Sequence, residues 1–190
     1  MSILAVVLVL AFSLAAYGGD DSAWERVPSM IKPLSTKIEA DFILRRHFKD
    51  MDYDMNGNGS MSFTPGKELV FRTEKPMKAV CTLTSEQIEL NDIEAKRITT
   101  IKAEKQAWIA KIFKLQDGWL KGDLSGLKTD FNVEIQDGST LLFTPKAAAT
   151  NAFFKSVQLQ INPKTRFIDK IVLNEAAGDS IEITFINIRE

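Results

Sequence analysis

Cysteine and histidine are nearly absent: the 190-residue chain holds one of each, Cys81 and His47. A single cysteine excludes an internal disulfide. The two counts together remove most zinc sites and most triad hydrolases, which need several such groups converging on one point. Charge of one sign is also missing. Twenty-four basic residues stand against 25 acidic ones, for a net charge of −1. Basic and acidic residues are interspersed, so no face for nucleic acid or a strongly acidic partner is expected. There is no G-x-S-x-G, no phosphate-binding loop and no dinucleotide fingerprint. No set of acid, base, nucleophile and metal ligand assembles. An enzyme is therefore the weakest reading, with no catalytic residue, metal or cofactor expected.

What is present begins with an uncharged apolar run from Ile3 to Ala16, shorter than the ~20 residues of a membrane-spanning helix. Small residues follow, and polar sequence starts at Asp20 and Asp21. This is the pattern of a secretory signal peptide over residues 1–19, cleaved near Ala15 to Gly19, although no lysine or arginine precedes the run. The other reading is an uncleaved tether. No cysteine lies near the cleavage region, so no lipoprotein anchor is expected. Residues 20–190 then form a single exported domain.

That domain alternates apolar and polar residues in short segments. In IEADFILRRHF, residues Ala40, Phe42, Leu44 and Phe48 alternate with polar neighbours, which favours a strand. DMDYDMNGNGS has turn chemistry. The segments MSF, ELVFRTEK, KAVCTLT, QIELND and RITTIK are separated by Pro-Gly, Lys-Pro and polar breaks, the spacing of an antiparallel meander. After Glu104 the period changes. Trp108, Ile112, Leu115 and Trp119 recur at helical spacing, widened by Ile109 and Phe113, which predicts an amphipathic helix ending near Gly118. Strands resume with FNVEIQ, TLLFTPK, VQLQI, FIDKIVL and IEITFINI. The prolines Pro28 and Pro33 allow at most a short helix before the first strand. About ten strands and one or two helices result, and the helix is the element available to cover the sheet.

Three local candidates carry little chemistry. Asp52, Asp54, Asn56 and Gly57 match the first half of a calcium loop, but the twelfth position, which should supply a bidentate Glu, is Phe63. A hairpin connection is expected instead. His47 reads as a rim histidine, and Cys81, within AVCTL, as a small buried hydrophobe. The twelve Phe and three Trp either fill the core or line a cavity between sheet and helix.

The ordered motifs resemble the LolA-type outer-membrane lipoprotein carriers. GSMSFTPGKELVFRTEKP, Gly59 to Pro76, is similar to that family's signature segment. ADFILRRHF is similar to its first strand, WLKGDLSGLKTDF and LLFTPK to its later segments, and GDSIEITFINI to its final strand. The resemblance runs in order from Ile38 to Ile188. It implies an unclosed antiparallel β-barrel, a half-barrel with a helical lid, in a monomeric periplasmic protein. It also implies acylated lipoprotein or lipid cargo, an inner-membrane releasing complex and an outer-membrane receptor as partners. The family's turn carries an Arg that helps hold the lid closed. Here Pro65 stands at the Arg position and Gly66 at the family's Pro.

On this reading the cavity is lined by Phe42, Leu44, Met61, Phe63, Leu69 and Phe71 from the first strands. The lid helix adds Trp108, Ile112 and Phe113, and later strands add Phe143 and Leu159. A one-residue register error would exchange lining for outer face. The alternative is an envelope protein-binding or assembly module on the same fold. A continuous apolar cavity favours the carrier; a filled core with an exposed apolar patch favours the module.

Overall fold

In a computed structural model of the chain, residues 21–105, 113, 117, 118, 120–129, 131–146 and 154–190 are described. The expected signal peptide lies outside them, as do Trp108, Ile109, Ile112, Leu115 and Trp119. Among the described residues no helix is long and apolar enough to cross a membrane.

A ten-residue helix, α1 (Asp21–Met30), comes first and carries Pro28 in its last turn. Eleven strands follow. They are β1 (Ile38–Phe48), β2 (Tyr53–Thr64), β3 (Glu68–Lys75), β4 (Ala79–Leu83), β5 (Gln87–Asp92) and β6 (Arg97–Lys102), then β7 (Phe131–Gln136), β8 (Thr140–Pro145), β9 (Phe154–Ile161), β10 (Ile168–Glu175) and β11 (Ser180–Arg189). All belong to one antiparallel sheet in the order β6-β5-β4-β3-β2-β1-β11-β10-β9-β8-β7. Only the pairing of β1 with β11 joins strands distant in sequence. The sheet is not closed, because β6 and β7 remain its two edges. This is the half-barrel that the family resemblance implies.

The core follows from the period-2 pattern, because cross-strand partners share a face. One inward row runs Ile88, Leu83, Leu69, Phe63 and Ile38. Another runs Leu44, Ile183, Ile171, Leu159 and Leu141. All ten are buried. Over this face lie Trp24 and Val27 of α1, Ile31 and Leu34 just after it, and Phe113, Leu124 and Leu127 from the connection between β6 and β7. The described residues Phe113, Asp117, Gly118 and Leu120 of that connection are helical.

One expectation needs correction. The expected turn over DMDYDMNGNGS occupies only a short 3-10 turn, Lys49–Met51, and Asp52; β2 begins at Tyr53. The Asn- and Gly-rich stretch is strand because its glycines serve a close approach, not a loop. A Cβ at Gly59 would stand 1.9 Å from the Arg72 carbonyl oxygen, and one at Gly57 would stand 2.6 Å from that of Lys75. A bulge in β3 falls at this point, where Asn58 pairs with Lys75 but Gly59 with Thr73. Bare backbone lets β3 fold tightly over β2 and curl the sheet. The space above Gly59 holds the ring of Phe42 instead, 2.9 Å from where a Cβ would sit.

Candidate functional site

The concave face is filled over part of its area and open where β1 begins and β11 ends. Toward β7, Trp24 packs on Phe143 with ring centroids 5.8 Å apart, and Phe131 packs edge-on to Phe143 at 6.4 Å. At the far end of β1, Arg46 turns inward. Its guanidinium bonds Glu175 at 3.1 Å and lies over the Phe48 ring at 4.9 Å. Phe143 and Arg46 share one cross-strand row through Val157, Leu173 and Ile181. Toward the opposite strand ends remains a slot whose wall comprises fourteen described residues, thirteen of them apolar. Its free volume is about 60 Å³. It is room for a few waters and for less than most ligands need.

The slot is built from three sources. Ile38, Ala40, Met61, Leu69 and Phe71 come from β1 to β3, and Ile168, Ile171, Phe185 and Ile188 come from β10 and β11. Phe167 stands just before β10. Ile31, Lys32 and Leu34 form a strap after α1, and Leu120 comes from the helical connection. The strap is pinned on both sides. The Lys32 N–H donates to the Arg166 carbonyl at 2.8 Å and the Leu34 N–H to the Leu120 carbonyl at 3.2 Å.

Met61, Leu69 and Phe71, expected from the sequence, stand on this wall. Phe42, Leu44, Phe63, Phe143 and Leu159 do not. They face inward and are buried, but they pack against one another and against their neighbours, as Phe42 does edge-on to Phe71 at 5.8 Å. Phe113 is likewise buried in the core, while Trp108 and Ile112 lie outside the described residues. Sequence reasoning missed the β10 and β11 side of the wall. Alternation along IVL and IEITF points Ile171 and Phe185 inward, a signal that was there to read. Ile168 and Ile188 break that alternation. β10 carries an extra residue between Ile168 and Lys170, and β11 carries one between Ile186 and Arg189, where Asn187 takes a φ of 53°. Each bulge turns the next isoleucine back into the slot.

The hairpin tip at Pro65 and Gly66 meets the helical connection by a different contact from the family's Arg. The Gly66 N–H donates to Asp117 Oδ1 at 2.7 Å, and Gly66 has a φ of +71°.

Among the described residues, the titratable groups outside the slot build no reactive centre. Asp54 is held below the usual carboxylate range by a hydrogen bond from Arg45 first and His47 second. Burial pushes the Cys81 thiol up to about 12. At pH 8 the thiolate fraction is then on the order of 10⁻⁴, too small for a nucleophile. Cys81 is expected to resist a water-soluble thiol reagent in the native protein and to label only at the rate of unfolding. Rapid stoichiometric labelling at pH 8 would contradict its placement. Among the described residues no group of three or more His, Cys, Asp or Glu is placed to hold a metal.

Comparison with known proteins agrees with the fold. The family described as outer membrane lipoprotein carrier protein LolA matches residues 35–190. A protein from Thermus thermophilus, described as uncharacterized and conserved, is 10% identical, with 90% of this chain and 86% of that one covered at a TM-score of 0.52. A LolA superfamily protein from Nitrosomonas europaea is also 10% identical, covering 93% and 94% at a TM-score of 0.46. A chain of the Pseudomonas aeruginosa MucA/MucB complex is 12% identical at a TM-score of 0.50. There 90% of this chain is covered but only 57% of the other, so this chain spans little more than half its length. No curated protein matches significantly.

Proposed function

Because the chain belongs to the LolA family of outer membrane lipoprotein carrier proteins, we propose that it is a periplasmic carrier that shelters acyl chains of a lipoprotein or related lipid between inner and outer membrane. One observation carries this reading: an apolar slot, with a single lysine on its wall, lies on the concave face of an open sheet beneath a strap. Each methylene exposed to water costs ~0.8 kcal/mol, so a twelve-carbon chain needs roughly 10 kcal/mol of shelter to cross an aqueous space. Burial alone supplies that, and no chemical step is required. Met61, Leu69, Phe71, Ile171 and Phe185 are the wall that would meet the chain. The resting slot is much smaller than the ~300 Å³ of an ordinary ligand site. Loading therefore requires the strap or the helical connection to move. An exported monomer, loaded by an inner-membrane releasing complex and emptied by an outer-membrane receptor, fits this role.

The test is native mass spectrometry of protein purified gently from an envelope fraction, followed by lipid extraction. A co-purified lipopeptide or lipid is the expected result. Ala40 is buried on the slot wall, and Ala40→Leu places three further carbons into the free space. Uptake should fall at least tenfold while the melting temperature holds or rises. Undiminished uptake by Ala40→Leu would remove the slot as the site.

A second reading has its own support. β6 is an edge strand exposed almost throughout, with Ile98 62% exposed and Ile93, in the preceding turn, 49% exposed. Such an edge suits strand addition by a protein partner. A clean apo mass with no uptake of added acylated ligands would favour it.

A further inference from the structure

Among the described residues, the one charged residue on the slot wall sits at its mouth, and it already holds a carboxylate. Lys32 Nζ lies 2.7 Å from Glu190 Oε1 and 2.8 Å from Oε2. The same ammonium stands 4.8 Å from the centroid of the Phe167 ring, itself part of the wall. The lysine backbone is fixed by its N–H bond to the Arg166 carbonyl. The ammonium is thus held over the border between apolar wall and solvent by a backbone bond and a cation–π contact. We propose that the slot takes a single-chain amphiphile with an anionic headgroup, whose headgroup replaces Glu190 on Lys32 while its chain enters beneath the strap.

Three observations converge on this. The position demonstrably accepts a two-oxygen anion, because Glu190 presents both oxygens there. The Lys32–Glu190 pair is about 40% exposed on either side, and exposed pairs of this kind are weak and readily exchanged. An entering chain would expel water from the mouth, and a lower local dielectric strengthens the contact that the ligand makes relative to the one Glu190 made. The wall encloses one hollow beneath one strap, which suits one chain rather than two or three. Carboxylate and phosphate headgroups share this chemistry, and Lys32 serves either as a point charge.

The inference rests on the carrier reading, and the test separates the two. Decanoate, decyl phosphate and decanol are titrated calorimetrically into the protein, into Lys32→Met and Lys32→Gln, and into Glu190→Gln. At least one of the two anions is expected to bind about tenfold tighter than decanol. That margin should disappear in both lysine variants while decanol binding is kept. Glu190→Gln, which frees the ammonium, should tighten the anion further. The tighter of the two anions identifies the headgroup as carboxylate or phosphate. Equal binding of all three probes overturns the proposal and leaves the carrier reading standing, as does an anion preference that survives both lysine variants. Binding of none of them overturns both.

Discussion

Gly59→Ala is expected to destabilise the protein by about 3 kcal/mol or more, lowering the melting temperature by roughly 6–12 °C. The new methyl would stand 1.9 Å from the Arg72 carbonyl oxygen and 2.9 Å from the Phe42 ring. A ring can tilt, but the carbonyl is backbone of β3. Relief therefore requires separating β2 from β3 at their bulge and flattening the curl that holds Phe42 against Phe71. Gly138→Ala is the control. Its surroundings are empty within 4 Å, and its cost comes only from a φ of +66°, about 1–2 kcal/mol. Thermal or urea unfolding of both variants decides the matter. A Gly59→Ala protein as stable as the Gly138→Ala protein would mean that the close approach of β2 and β3 is not a structural requirement.

Trp24→Ala carries the second large effect, about 3–5 kcal/mol for a buried tryptophan removed to alanine. Trp24 is 8% exposed and anchors α1 on Phe143. A helix of ten residues does not hold itself together in water, so α1 exists because its Trp24 and Val27 side are buried. Without the anchor, α1 and the strap behind it should lift before the sheet unfolds. The variant is expected to bind an apolar dye that the parent excludes, and its Lys32 amide, bonded to the Arg166 carbonyl, should exchange faster than amides of β1. If stability falls but the Lys32 amide stays as protected as β1, the strap is held by the sheet alone and α1 is no part of its latch.

Much of the architecture was readable because strands and helices announce themselves by period. The segment IEADFILRRHF buries every second residue for most of its length and SIEITFINIR does so over its first half, and the two prolines before β1 accompany a helix of only ten residues. The Asn- and Gly-rich start of β2 misled because those residues are the usual vocabulary of turns. What retains them in a strand is the passage of another strand's backbone overhead, which no local pattern reports. The slot shows the same division. Met61, Leu69 and Phe71 lie on its wall and were named from alternation. Phe42, Leu44, Phe63, Phe143 and Leu159 obey the same alternation, yet they are buried in the packed core, Phe42 against Phe71 and Phe143 under the ring of Trp24.

The sequence by itself determined that this is an antiparallel sheet with one apolar face, because period and hydrophobicity are properties of neighbouring residues; that the sheet stays open was implied only by the family resemblance. The tertiary structure alone decided where on that face a cavity remains and that Lys32 guards it. Cavities are what is left over when distant segments pack: here α1 against β8, the strap between Arg166 and Leu120, and two bulges that turn Ile168 and Ile188 inward. Trp24 meets Phe143, and Lys32 meets Arg166, only once the whole sheet has brought residues far apart in the chain into contact.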